Sequence, residues 1–435
     1  MRFDARHLLL LIAPFCSQAQ DSLLDAREAV DIALQNNLRI QIAKDEKDIA
    51  RINNNWGNAG KWPVVTAGLG NTESITNLNQ VLSNGSEIKR NGVTNNILAA
   101  NINANWRIYN GMRVRATKER FEELERMSDV QLKQEVTRLT YDVLIAYFNI
   151  VRLNLQVRAT GAIIDLARER EKIAETRFNV GSAAKTDLLQ AQIDVNTQRT
   201  NLANLEQQIR VGKSVLNTLL KRDPAQPLGV ADTTFDLPPV EFEKLRRMSE
   251  SSNPQILMAQ RQRALLLQDR RIINSQRLPV LTLGSVTSFN RNQATGGFFL
   301  TNQNYGPNIG LNLGIPIFNG NINRTQLKAN EIQQQQQERR VELLKTEIGR
   351  DLQISYDEFR NAVTISELER ENVRLAKENN FISTERFRKL QSNSIELRQA
   401  QLSLSEAQDR YINAAFRAKV AASTLQLLAG EVTVD

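Results

Sequence analysis

The chain is an internal duplication. Arg177-Phe178-Asn179-Val180-Gly181-Ser182-Ala183-Ala184-Lys185-Thr186-Asp187-Leu188-Leu189-Gln190-Ala191-Gln192 is echoed by Arg386-Phe387 and by Ile395-Glu396-Leu397-Arg398-Gln399-Ala400-Gln401, 209 residues later. The same offset pairs Asn110-Gly111 with Asn319-Gly320, Arg115 with Arg324, Tyr147 with Tyr356, and Leu216 and Leu219 with Leu425 and Leu428. No gap is needed between residues 110 and 219, so each half must repeat one structural unit. A length of 435 residues would ordinarily imply two or three unrelated domains; the repeat implies two like halves of one body.

Residues 1–19 read as a secretory signal peptide: Arg2 and Arg6, an apolar run from Leu8 to Phe15, and the small-residue end Ser17-Gln18-Ala19. The run is too short to span a bilayer as a helix. Cys16 is a poor lipidation site, because bulky Phe15 precedes it. Cleavage after Ala19 would remove His7 and Cys16, the only histidine and the only cysteine. The mature chain then has no thiol nucleophile, no imidazole base and no borderline metal ligand, so neither an enzyme nor a metal or other cofactor is expected. The formal charge of +8 reads as solvated helix faces on a secreted chain rather than as a nucleic-acid surface. After the leader there is no stretch of 18 apolar residues, so any passage through a membrane must use strands.

The expected organisation is a first repeat over 20–222, a linker over 223–240 marked by Pro224, Pro227, Gly229 and Pro238-Pro239, and a second repeat over 241–435. Each repeat opens with an amphipathic helical stretch, 25–55 and 241–274, broken at Asn36-Asn37 and at Asn253-Pro254. A β-hairpin follows in each, over 62–109 and 279–318, with first strands at 64–71 and 280–289. The stretches Thr72–Asn96 and Asn290–Asn304 carry no packing pattern and are expected to be exposed loops. The second strands alternate cleanly. Leu98, Ala100, Ile102, Ala104, Trp106 and Ile108 oppose Ala99, Asn101, Asn103, Asn105 and Arg107; Ile309, Leu311, Leu313, Ile315 and Ile317 oppose Asn308, Gly310, Asn312 and Gly314. Such alternation fits a half-buried soluble sheet as well as a lipid-facing one. Trp62, Trp106, Tyr109 and Phe318 cluster at the helix-proximal strand ends, where an outer-membrane barrel keeps its interfacial aromatics.

After Asn110-Gly111 and Asn319-Gly320 the pattern turns helical, and residues 64–223 and 317–435 contain no proline. A continuous helix from Gly111 to Gly181 would be ~105 Å long. Leu132, Val136, Leu139, Val143, Ala146, Ile150, Leu153 and Val157 alternate at four and three, and so do Leu397, Ala400, Leu404, Ala407, Tyr411, Ala414, Ala418, Ala421, Leu425 and Leu428. A period of 3.5 sustained this long means coiled-coil seams.

Two hairpins give four strands, which cannot close, and an open sheet in lipid would leave its edge donors and acceptors unpaired. Three copies would make an even-numbered barrel of twelve strands wide enough for water. The expected fold is therefore mainly α with a transmembrane β portion: a trimeric 12-strand β-barrel continuous with a 12-helix periplasmic α-barrel.

The repeat, the Arg177-Phe178-Asn179-Val180-Gly181…Thr186-Asp187-Leu188…Ala191 turn and the strand–helix order resemble the TolC-type outer-membrane efflux proteins over essentially the whole mature chain. The resemblance implies a homotrimer in the outer membrane of a Gram-negative bacterium, in contact with outer-membrane lipid. It would serve as the passive exit duct of a tripartite efflux or type I secretion system, docked on a periplasmic adaptor that links it to an inner-membrane transporter. It places adaptor-docking tips at Val180-Gly181-Ser182 and at Leu390-Gln391-Ser392-Asn393, the second lacking the family glycine. It also implies an acidic ring at the periplasmic opening, from Asp187 and Glu396 with Thr186 before the first. Gln399 stands where the family often has a further acid. Asp187 and Glu396 also read as first-turn acids that stabilise a helix dipole, and both roles can hold together. The competing function is a non-conducting periplasmic coiled-coil adaptor or scaffold, which should lack paired amphipathic strands. An enzyme has little support: there is no phosphate-binding loop, and Gly68 and Gly70 are followed by Glu73 rather than by the third glycine of a dinucleotide motif.

Overall fold

A computed structural model describes residues 23–231, 235, 237, 239–297 and 299–432; the expected leader lies outside the described residues. The elements run α1 (Ala26–Asn36), α2 (Leu38–Asn53), β1 (Val64–Val81), β2 (Glu87–Asn110), α3 (Arg113–Asn179), α4 (Lys185–Leu219), α5 (Phe242–Ser252), α6 (Pro254–Ser275), β3 (Val280–Ala294), β4 (Thr301–Gly314), α7 (Ile322–Arg388) and α8 (Ser394–Ala429). Helices α3 and α7 are each 67 residues without interruption, and both ends keep the 209-residue offset. The breaks between the short helices fall at Asn37 (ψ 132°) and Asn253 (ψ 122°). Asn253 accepts from the Gln255 and Ile256 amides, and Pro254 takes the first helical position, where a missing N–H costs nothing.

Contacts divide the chain into two compact units, and each draws on both repeats. One comprises the described residues of 1–40, 136–245 and 351–435; the other comprises those of 41–135 and 246–350.

The first unit is helical and its core is the expected pair of seams. Leu139, Val143, Ile150 and Leu153 of α3 are buried, and so are Leu397, Ala400, Leu404, Ala407, Ala414, Ala418, Ala421 and Leu425 of α8. The stripe on α3 is wider than the seam, since Leu144, Tyr147, Phe148 and Val151 are buried beside it. Tyr147 is fully buried and its hydroxyl donates to the Leu24 carbonyl at 3.1 Å. That ties down the bridge between Leu24 and Val230.

The second unit carries an antiparallel sheet in the order β1-β2-β3-β4. Its register brings the apolar positions of all four strands onto one face. Leu69, Ala100, Phe289 and Tyr305 form one row, Val65, Ala104, Ser285 and Ile309 the next, and Trp106, Leu283 and Leu311 a third. The opposite face carries Thr66, Asn103, Val286 and Asn308, then Gly68, Asn101, Ser288 and Gly306. Many of the apolar residues are open to solvent in the single chain, Leu69 at 78% and Ile309 at 72%.

Three expectations need correction. The stretches read as loops, Thr72–Asn96 and Asn290–Asn304, are mostly strand: β1 reaches Val81, β2 starts at Glu87, β3 reaches Ala294 and β4 starts at Thr301. Within the strands of these stretches only Val93 is buried, so ladder hydrogen bonds hold them without any alternation in the sequence. Second, β4 stops at Gly314, because Pro316 cannot donate to a ladder, and Ile315 and Ile317 lie beyond it, Ile317 at 94% exposure. Third, the register shifts between Arg107 and Tyr109, so Tyr109 rather than Ile108 faces Leu281 on the apolar side.

Candidate functional site

Both long helices end in the same backbone motif. At the first tip the Ser182 amide donates to the Arg177 carbonyl at 2.8 Å and the Gly181 amide to the Phe178 carbonyl at 3.0 Å. At the second, the Gln391 amide donates to the Arg386 carbonyl at 2.9 Å and the Leu390 amide to the Phe387 carbonyl at 3.2 Å. This doubly bonded helix end needs a left-handed residue, supplied by Gly181 (φ 75°) and, unusually, by Leu390 (φ 62°). The second tip therefore keeps the turn that its missing glycine put in question. Val180 and Leu390 project into solvent at 72% and 70% exposure; Gln391 is also exposed, and Ser392 is half-buried.

Asp187 and Glu396 sit in the first turns of α4 and α8. Their surroundings differ. Glu396 accepts from Arg386 Nη1 at 2.5 Å, and its amide donates to Asn393 Oδ1 at 2.9 Å, which closes the N-terminus of α8. The residue at the N-cap of α4 is Ala184, which offers no cap, and Asp187 has no side-chain partner among the described residues. Arg177, the counterpart of Arg386, lies with its guanidinium carbon 4.0 Å from the Phe387 ring centroid and donates to the Phe387 carbonyl. Thr186 and Gln399 are exposed nearby in sequence.

Sequence reading missed the charges that join the two hairpins. Arg388 pairs with Glu169, and Asp194 accepts from Arg170, from Arg398 at 2.9 Å and from Gln190 at 2.9 Å. Burial pulls the Arg170 guanidinium below its ordinary pKa while Asp194 opposes the shift. Each pair sits where the repeats differ: Asp194 corresponds to Ser403, Arg398 to Leu189 and Arg388 to Asn179. Divergence between copies was the one available signal.

The four aromatics lie at the sheet ends where strands meet helices. Trp62 precedes β1, Trp106 and Tyr109 close β2, and Phe318 follows β4, with Trp62 and Phe318 at 59% and 79% exposure. Trp106 Nε1 donates to the Lys61 carbonyl at 2.9 Å, and Lys61 Nζ lies 4.7 Å from the Trp56 ring centroid. Among the described residues no group of histidine, cysteine and carboxylates could hold a metal ion, and no helix is long and apolar enough to cross a membrane.

The model of the outer membrane efflux protein family matches residues 29–220 and 245–431. The pyoverdine export outer membrane protein OpmQ of Pseudomonas aeruginosa is 31% identical over 224 residues, which cover 51% of this chain and 46% of that relative. The chain thus spans about half the length of that curated relative. Solved structures share the fold, CusC and VceC among them. CusC, solved in work on its folding and transmembrane channel formation, superposes with a TM-score of 0.76 at 17% identity, covering 93% of this chain and 92% of its own. The outer membrane protein VceC of Vibrio cholerae gives 0.76 at 16% identity, covering 94% and 96%. With a family match over both repeats and near-complete superposition, the chain belongs to the outer membrane efflux protein family.

Proposed function

We propose that three copies of this chain form a passive duct through the outer membrane, the exit of an efflux or secretion system energised by an inner-membrane transporter through a periplasmic adaptor. The observation that carries the reading is the open four-stranded sheet, with one apolar face across all its strands and no pairing between β1 and β4. Backbone groups on those edges cannot stay unpaired in lipid, so edge must meet edge between copies. Three copies give twelve strands with the Asn103 and Asn308 face inward, enough for an aqueous lumen. Nothing in such a wall performs chemistry, and the pyoverdine exporter among its relatives supports solute export. The structure gives the non-conducting scaffold no comparable support.

The repeats at 20–222 and 241–435, joined by 223–240, supply two tips per copy. Val180-Gly181-Ser182 and Leu390-Gln391-Ser392 form the adaptor-docking surface in this reading, and Trp62, Trp106, Tyr109 and Phe318 mark the membrane interface. Asp187 and Glu396 stand at the periplasmic opening, where threefold repetition makes a ring that attracts cations. Asp187 dominates that ring, since Arg386 compensates Glu396. Single-channel recording is the test. Asp187→Asn should reduce cation selectivity and divalent block more than Glu396→Gln does, with trimers intact. Unchanged conductance of both variants at every salt and divalent condition would remove the gate assignment.

A further inference from the structure

At the foot of β4 the second unit has a cavity of 710 Å³ whose wall includes Arg270, Arg277, Arg324 and Lys328, with Glu331 as its only carboxylate. None of the four cations is paired with a carboxylate among the described residues. Neighbours on the same helices do find carboxylates: Arg271 beside Arg270 pairs with Glu119, Arg120 with Asp269, and Arg263 with Glu338.

The duplication makes the contrast sharper. In the first repeat Arg115 pairs with Glu119 at 3.1 Å and Lys118 with Glu122 at 2.7 Å, each one helical turn on. At the matching places of the second repeat stand Arg324 with Lys328, and Leu327 with Glu331. An ion pair has become a like-charge pair, which disfavours the helix unless an anion lies between the two. Buried in the same wall, Asn323 is 6% exposed and its Oδ1 has no partner among the described residues. Beside the cations, Phe318 is 79% exposed.

We propose that this cavity binds the headgroup phosphate of a phospholipid in the periplasmic leaflet of the outer membrane, the acyl chains lying against Phe318 and the foot of the sheet. Cations, an unsatisfied acceptor and an exposed aromatic side by side match an amphiphile whose phosphate carries a hydroxyl or ammonium group. The inference rests on the membrane placement of the sheet, and lipid retention is read without conductance, so the two readings fail separately.

The test uses delipidated full-chain oligomer titrated in native mass spectrometry with dioleoyl phosphatidylglycerol, with dioleoylglycerol, which lacks the phosphate, and with inorganic phosphate. Phosphatidylglycerol should be retained in preference to both. Arg277→Gln with Arg324→Gln should weaken it by about thirtyfold, while Arg199→Gln on α4 should leave it unchanged. Lys328→Glu recreates the first repeat's ion pair, so it should fold and assemble normally yet lose the lipid. Equal retention of dioleoylglycerol, equal affinity for free phosphate, or full lipid retention by Lys328→Glu would overturn the assignment. So would loss of assembly in the double variant with its lipid affinity intact, which would give the cavity to a second copy.

Discussion

Leu390 holds φ 62° at a helix end where its counterpart is Gly181 at φ 75°. A left-handed backbone costs an L-residue about 1–2 kcal/mol. Leu390→Gly removes that strain but adds about 0.5–1 kcal/mol of unfolded-state entropy. Leu390 is 70% exposed, so little packing is lost with its side chain. The net effect is a tip firmer by about 0.5–1 kcal/mol, a factor of about two to five in local opening. Hydrogen exchange reads this directly at the Gln391 amide, which is bonded to the Arg386 carbonyl at 2.9 Å. The reciprocal change, Gly181→Ala, meets nothing within 4 Å of the added Cβ, so its cost is purely conformational. It should speed exchange of the Ser182 amide about fivefold, for a cost of about 1 kcal/mol. Faster exchange at Gln391 in Leu390→Gly, or no change at either tip, would show that the left-handed residue does not strain the turn.

Other expectations are narrower. Gly111→Ala puts a Cβ 2.6 Å from the Ser275 carbonyl and from Leu278 Cβ, whereas the matching Gly320→Ala meets open space at nearly the same φ. The first should lower oligomer stability by about 3 kcal/mol and the second by about 1 kcal/mol, read as denaturation midpoints. Tyr147→Phe, which removes the hydroxyl bonded to Leu24, should cost about 1 kcal/mol in the same assay. Glu369 accepts from Arg410 at 2.8 Å, and that bond holds its carboxyl below the ordinary value of 4.5. A depressed folded pKa gives stability that is present above the ordinary value and lost as pH falls through the folded one. Glu369→Gln should therefore cost about 0.5–1 kcal/mol at neutral pH and nothing once the wild-type carboxyl is protonated.

Much of the architecture was legible because duplication and period are one-dimensional signals. The 209-residue offset anticipated two equal long helices, the four-three spacing found Leu139, Val143 and Ile150 on one seam and Ala414 and Ala418 on the other, and Asn37 and Asn253 announced their breaks. Strand ends were less legible. Residues 72–96 bury only Val93, so almost nothing in their order records a pairing that backbone hydrogen bonds supply. The bulge that turns Tyr109 to the apolar side depends on what lies across from it, as does the left-handed Leu390, which no propensity would place there. At the tips the repeat misled by its regularity: Asp187 and Glu396 align, but Arg386 turns inward to its own hairpin while Arg177 reaches across to Phe387.

In the proposed assembly one chain is an incomplete wall whose sheet edges are satisfied only by further copies around water. Planar-bilayer recording of the purified, covalently cross-linked oligomer tests it most directly. Discrete, ohmic conductance steps that only cross-linked trimers produce are expected. A water-soluble single chain with a closed sheet, and no conductance from any oligomer, would contradict it.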